Sequence, residues 1–471
     1  MAKRLRRGGG QSHFRGLHRE NRDSPRARIG TVPGRENRDS PRERGAGPRQ
    51  EETGPPIRKR ELVMREPLPP YRTITTAEGL AEFCGRLAQC EQIALDTEFV
   101  GEQRFQPQLC LVQVAAGGEL ALVDPLSVPD LGPFWRTLVA PGHEVVVHAG
   151  RGELAFCYRA AGALPARVFD VQIAAGMVGI EYPASYGNLL AKVLGLSSGK
   201  RETRTEWRHR PLSSRQIAYA LDDIRHLPAL RDALYARLRE TGRLPWFGEE
   251  MEAWCAAVVA SLSEDRWRRI PGNAGLDPRG LAILRELWKW RQTVAERRNW
   301  PPRRVLRDDL LVELARRRSA DPGQIRAVRG LERGDLKRQL PRIAAAIQRG
   351  LSADTSELPA AAPPEPAPPL AVLGQFLFSA LGTICRRQGI APGLVGTPND
   401  VRDLVMYRTG QWPRPDPPLL ARGWRAKLLG RTLDDLLAGR LALRVGDPTA
   451  EAPLVFEPVS SPAPPDAPRI G

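Results

Sequence analysis

Ile93-Ala94-Leu95-Asp96-Thr97-Glu98-Phe99 is an apolar run interrupted by two carboxylates, and its reading decides the fold. A run of this length and composition predicts a buried strand, and alternation along a strand puts Asp96 and Glu98 on one face. Burying two like charges together costs on the order of several kcal/mol unless something positive offsets them, and a divalent cation does so most directly. The same residues also fit a plain strand end, with both carboxylates solvated at its carboxyl edge. Carboxylates from other elements must separate the two readings.

The chain around this run alternates in character. From Tyr71 to about Arg243, apolar runs at 92–99, 108–115, 119–124 and 144–148 predict strands, and the stretches 77–89, 152–161, 170–179, 185–194 and 213–240 predict helices. Gly117-Gly118 reads as a tight hairpin between the second and third runs. Hairpin-linked strands followed by helix-separated ones imply an α/β domain over 71–243, a mixed sheet flanked by helices. Residues 246–350 show helical periodicity alone, with Leu281, Leu284, Leu287, Trp288 and Val294 on one face and Leu306, Leu310, Leu311 and Leu314 on another. An all-α bundle is expected there. Residues 353–369, rich in Ala and Pro, predict an extended linker, 370–446 a second helical domain, and 447–471 a Pro-rich disordered tail.

Residues 1–66 are Arg-, Gly- and Pro-rich with almost no large apolar side chains, so a disordered basic tail is expected. Arg-Glu-Asn-Arg-Asp-Ser-Pro-Arg occurs twice within it, at 19–26 and 35–42, as a local duplication. It reads as a basic tether for RNA or as a dispensable extension, with Met64 as an alternative start. At 471 residues the chain exceeds a single core and suggests roughly two to four domains. The net charge of +17, of which residues 1–63 supply +9, favours a polyanionic partner such as nucleic acid. Six scattered cysteines without a CxxC pair suggest neither zinc nor a disulfide framework. No apolar run is long enough to span a membrane, and the Arg-rich start lacks the apolar core of a secretory signal, so a cytoplasmic protein is expected.

If Asp96 and Glu98 hold metal, further ligands belong on elements near the carboxyl end of their strand. Tyr219 and Asp223 are four residues apart and share a helix face, whereas Asp222 points away. The carboxylate could bind an ion while the phenol orients water; the spacing also suits an ordinary amphipathic helix with Tyr219 half buried. After the run ending at His148, the segment His148-Ala149-Gly150-Arg151-Gly152-Glu153 reads as strand, turn and helix start, with Glu153 its one carboxylate.

At this point the residues resemble a family. Asp96-Thr-Glu98-Phe99, Pro107-Gln-Leu-Cys-Leu-Val-Gln113, Leu122-Val-Asp-Pro-Leu126, His148-Ala-Gly150, Phe169-Asp-Val-Gln-Ile-Ala-Ala175, Thr203-Arg-Thr-Glu-Trp207, Arg210-Pro-Leu212 and Tyr219-Ala-Leu-Asp-Asp223 follow the order seen in ribonuclease D. That family lies in the tyrosine-bearing branch of the DEDD superfamily of 3′–5′ exonucleases. The segment from Trp267 to Ile347, with Leu276-Asp-Pro278, Leu284 to Arg291 and Val305-Leu-Arg-Asp-Asp-Leu310, resembles the HRDC domain that follows the nuclease there. Residues 370–446, with Leu419-Leu-Ala-Arg-Gly-Trp-Arg425 and Gly430, look like the second helical domain of the same proteins.

The resemblance implies an RNase H-like mixed sheet followed by all-α HRDC-type bundles, and hydrolysis assisted by two divalent ions, Mg²⁺ or Mn²⁺, roughly 4 Å apart. It implies Asp96 as the ligand bridging both ions, Glu98 and Asp223 as ligands of the first, Glu153 near the second, and Tyr219 positioning the attacking water. Two departures stand out. The family has Asp where this chain has Glu153, and the extra methylene moves the carboxylate by about 1.5 Å; a misplacement of about 1 Å can cost an active site about a hundredfold. A working enzyme with a shifted metal preference is expected, a degenerate site being the alternative. The other departure is Gly101-Glu102-Gln103, where a basic residue is common in the family.

Lys200, Arg201, Arg204, Arg208 and Arg210 cluster with Trp207, a combination suited to phosphate contact and base stacking, or else a solvated basic loop. Arg303, Arg304, Arg316, Arg317 and Arg318 could form a phosphate-tracking face or be exposed helix charge. His148 reads as a structural turn residue and His226 as helix surface. The function expected is a 3′–5′ exoribonuclease acting on RNA with a free 3′ end, precursor tRNA or another small structured RNA, as a monomer that releases nucleoside 5′-monophosphates. A DNA exonuclease would use the same carboxylates, although no GxxxxGK[ST] loop accompanies them. An RNA-binding scaffold with a decayed site is the third reading.

Overall fold

The structure is a computed structural model and describes residues 68–101, 103–197, 205–262, 264–360, 368–450 and 452–459. The tail expected over 1–66 lies outside these. The opening stretch forms β2 (Gln92–Val100), near the centre of a six-stranded sheet. Ile93, Ala94 and Leu95 are all buried, which requires cover on both faces and explains why no polar residue alternates with them. β3 (Gln108–Ala116) pairs antiparallel with β2 and turns through Gly117-Gly118 into antiparallel β4 (Glu119–Val123). Both glycines have positive φ, the backbone a two-residue loop between twisted strands demands. β5 (Glu144–Val147) runs parallel to β2, β6 (Val168–Asp170) parallel to β5, and β1 (Arg72–Ile74) parallel to β4, so the order is β1-β4-β3-β2-β5-β6. This is the expected mixed α/β sheet.

Its two faces are covered differently. α1 (Ala77–Leu87), α2 (Gly132–Val139) and α3 (Arg151–Ala161) pack on the face that carries Ile93, Leu95, Val145 and Val147. The other face, with Ala94 and Val146, is covered by α4 (Val171–Met177), by α5 (Tyr186–Leu189) with the π-helical turn Leu190–Leu194, and by the segment after Ser213. The helix expected over 213–240 is two helices, α6 (Ser214–Arg225) and α7 (Leu227–Glu240), meeting at His226. Pro228 explains the break: it has no N–H to continue the first helix and suits the first turn of the second.

α8 (Leu244–Leu262) crosses the border expected at 243–246 and buries Phe247 and Met251 in the core of the sheet's second face. The bundle proper has its own core, from Trp267 to Ile347, built by α9 (Pro278–Arg298), α10 (Pro302–Val305), α11 (Asp308–Arg317), α12 (Pro322–Arg326), α13 (Gly334–Lys337) and α14 (Leu340–Leu351). The last helices are α15 (Pro368–Gln388), α16 (Pro392–Val395), α17 (Pro398–Arg408), α18 (Gly423–Leu429) and α19 (Thr432–Leu437). They do not form a core of their own. Leu377, Leu381, Val401 and Trp424 join Phe169, Leu230 and Phe247 in one cluster. Arg425 of α18 fixes the junction, donating to both carboxylate oxygens of Glu250 (2.5 and 2.9 Å) and to the carbonyls of Val395 and Leu394. The border expected at 446 is also displaced. β7 (Leu441–Val445) and β8 (Leu454–Pro458) form an antiparallel hairpin across it, so part of the Pro-rich end expected to be disordered is a strand.

Candidate active site

Alternation along β2 turns Asp96 and Glu98 toward the face covered by α6 and Thr97 toward the face covered by α3. The ladder with β3 pairs Asp96 with Gln113 and Glu98 with Leu111, then slips at a bulge between Glu98 and Phe99. α6 starts from a capping box, in which Ser213 accepts from the Gln216 amide while the Gln216 side chain accepts from the Ser213 N–H. That start sets the phase of the helix, and one turn further on Tyr219 and Asp223 face β2. Asp96, Glu98 and Asp223 each bring one carboxylate oxygen within 4.8 Å of the other two. The opening pair therefore belongs to a three-carboxylate cluster that could hold a metal ion.

The electrostatics agree. Burial, followed by the charges of Glu153, Asp223 and Glu98, pushes the Asp96 carboxyl well above the usual carboxylate range. Burial, with Asp223 and Glu153, pushes Glu98 up to about 8. Neither Asp96 nor Glu98 has a guanidinium or ammonium partner among the described residues. Gln113, the cross-strand neighbour of Asp96, is fully buried with neither amide atom hydrogen-bonded. Hard oxygen donors, clustered negative charge and an orphaned buried amide suit a divalent cation with its bound water. The Tyr219 hydroxyl is hydrogen-bonded to Asp223, and burial beside these carboxylates raises its pKa.

Glu153 reaches the site from the opposite layer. It lies in the first turn of α3, is buried, and accepts a 2.6 Å hydrogen bond from Thr97 Oγ1. It falls outside the three-carboxylate cluster, yet its charge acts on both Asp96 and Glu98. The turn before it is held by Asp170, which accepts from the N–H groups of Ala149 and Gly150 while capping α4 through those of Gln172 and Ile173. Asp170 and Thr97 were not singled out from the sequence, although both lie inside segments that carry the family resemblance.

The basic loop differs from expectation. Lys200, Arg201 and Arg204 lie outside the described residues. Trp207 is 6% exposed and packs against Tyr219 with ring centroids 6.0 Å apart, so no base can stack on it; it buttresses the tyrosine instead. Arg210 spends its donors inside the fold, on both Asp124 oxygens (2.6 and 2.8 Å) and on the carbonyls of Cys110, Trp207 and His209. Arg208 is exposed but forms a two-point pair with Glu206. His148, as expected of a turn residue, bonds through Nε2 to the Ala184 carbonyl. His226 is half-buried at the α6–α7 break.

Residues 71–239 match the family model described as 3′-5′ exonuclease, and residues 280–347 the HRDC domain. The ribonuclease D of Nitrobacter hamburgensis is 34% identical over 79% of this chain and 96% of its own length, and that of Pseudomonas paraeruginosa is 34% identical over 78% and 97%. The chain belongs to the ribonuclease D family. The crystal structure of Escherichia coli RNase D, described as an exoribonuclease involved in structured RNA processing, superposes with a TM-score of 0.69 at 28% identity, covering 79% of this chain and 99% of that one. As a ribonuclease D, the chain is a 3′–5′ exoribonuclease in which an exonuclease sheet precedes a helical HRDC region. No described helix is long and apolar enough to cross a membrane.

Proposed function

We propose that the chain trims the 3′ ends of structured RNA, precursor tRNA foremost, by hydrolysis assisted by two divalent ions, Mg²⁺ or Mn²⁺, with release of nucleoside 5′-monophosphates. The observation that carries this reading is the convergence of Asp96, Glu98 and Asp223 from two elements, with the Tyr219 hydroxyl bonded to Asp223. Its RNA side rests on the likeness to the Escherichia coli enzyme. When bound, the ions would polarise the scissile phosphate, favour water as a nucleophile and stabilise the departing 3′ oxygen. Asp96 would serve both ions, Glu98 and Asp223 the first, and Glu153 the second. Tyr219 would orient the attacking water, its raised pKa keeping the phenol protonated and able to donate a hydrogen bond. Trp207 behind it would limit the ring to one position. The chain is proposed to act as a monomer in the cytoplasm.

The test is incubation of the purified protein with Mg²⁺ or Mn²⁺, a 3′-extended tRNA and a single-stranded DNA. Stepwise shortening of the tRNA with 5′-monophosphate release, abolished by EDTA, is expected. Preferential cleavage of the DNA would overturn the RNA assignment. Binding without cleavage, unchanged in Glu153→Asp, would favour a scaffold. In Asp96→Asn, turnover should fall about a thousandfold, a loss of roughly 4 kcal/mol of transition-state stabilisation, while RNA affinity changes less than about twofold. An equal loss of both would make Asp96 structural.

A further inference from the structure

The expected basic face of the bundle is mostly consumed by local pairs. Arg303 pairs with Asp308, Arg316 and Arg317 with Glu313, and Arg318 with Asp277. Arg304 alone of the five has no carboxylate within ion-pair distance among the described residues; its guanidinium lies over the Trp300 ring, 4.4 Å from the centroid. Arg298, likewise without such a partner, lies over the same ring at 4.9 Å. The arrangement follows from the corner between α9 and α10. Asn299 ends α9 with φ of +48°, and Pro301-Pro302 fix the direction of the next helix, so that residues 298 and 304 come back to one indole.

An indole beneath a guanidinium restricts the orientation of its planar face and reduces the conformational freedom lost when its N–H edge meets an anion. Two such groups on one ring, uncompensated by carboxylates, suit the oxygens of phosphodiesters. The corner is also tied to the nuclease. A cleft of about 440 Å³ beside it is lined by Arg104, Phe105, Gln108, Glu296 and Asn299 among others. The Phe105 N–H donates to Asn299 Oδ1 at 3.2 Å. The loop containing Arg104 and Phe105 is the direct continuation of β2, the strand that carries Asp96 and Glu98.

We propose that Trp300, with Arg298 and Arg304 stacked on it, is a phosphate clamp for the RNA backbone upstream of the 3′ end that enters the acidic site. The proposal rests on the exoribonuclease reading, but its test does not require turnover. Binding of a 3′ single-stranded RNA is measured against salt concentration in the Asp96→Asn background, where the substrate survives. Each phosphate of a single strand that is freed from its cationic partner lowers the slope of log K against log salt by about 0.7. Replacing Arg298 and Arg304 together by Gln should therefore reduce the slope by about 0.7 to 1.4, and replacing both by Lys should restore most of it. A slope unchanged in the Gln pair overturns the clamp. So does an equal loss in the Lys pair, which would trace the effect to folding rather than charge. Absence of RNA cleavage by the Asp96-bearing protein would instead defeat the functional reading, a separate outcome.

Discussion

Thr97 sits between the two carboxylates of β2 but faces the other layer, and its hydrogen bond to Glu153 ties the strand to α3 beside the site. The bond makes the longer carboxylate a fitted part rather than a simple replacement. Shortening it to Asp retracts the acceptor by about 1.5 Å and leaves the Thr97 hydroxyl unpaired. Glu153→Asp is thus expected to melt at lower temperature than the parent without gaining turnover. Thr97→Val should cost about 1–2 kcal/mol of stability, read as a lower urea midpoint. Gains in both melting temperature and turnover for Glu153→Asp would show the bond to be incidental. The acidic cluster also carries a pH signature. The folded-state Glu98 value of about 8, against 4.5 for the ordinary carboxyl, means the metal-free fold holds a proton that the unfolded chain has already released. Stability of the metal-free protein therefore falls as pH rises from about 4.5 to 8. A divalent cation held by these carboxylates would take over from the proton, so Mg²⁺ should raise the melting temperature more at pH 8 than at pH 5. An equal rise at both would mean the cation binds elsewhere.

At the scale of elements, the β5–α3 turn places Glu153, and Asp170 holds that turn. Ala149 adopts φ of +53°, and a side chain at Gly150 would run into Val147. Asp170 compensates by accepting from four backbone N–H groups across the turn and the α4 cap. Asp170→Ala should destabilise the protein by about 2–4 kcal/mol, with Asp170→Asn losing less because one oxygen can still accept. Urea midpoints within experimental error of the parent for both would show that other contacts hold the turn. β2, β3, β4 and β5 were legible because unbroken apolar runs leave little choice of structure, whereas β7 and β8 lie in segments read as helical and as disordered. β1, β6 and α2 were not, since three to eight residues show no period. The acidic pair and the Tyr219–Asp223 face were legible from strand and helix periodicity. Trp207 was misread because arginines on both sides suggest an exposed platform, whereas Arg210 turns inward to Asp124 and draws the indole with it. The roles of Asp170 and Thr97 depend on layers meeting over long sequence separations, which local spacing does not record.

At the scale of the whole molecule, the chain order of domains differs from the grouping of their cores. The bundle of 267–347 encloses its own apolar cluster, while α15–α19 complete the cluster begun by α4, α7 and α8. Ending the chain at residue 360 would bare Phe247, Met251 and their neighbours and leave Glu249 and Glu250 without Trp424 and Arg425. Such a chain should aggregate or melt well below the full-length protein even though the nuclease strands and the bundle are intact. Equal melting temperatures would mean that the last helices only dock. The two borders of the nuclease sheet have a different consequence. β1 and β6, which close it on either side, are three residues long and end at once in loop or helix. A strand from another molecule would find few open N–H and C=O groups there to template on. The sheet that presents the carboxylates is thereby guarded against edge-to-edge fibril growth.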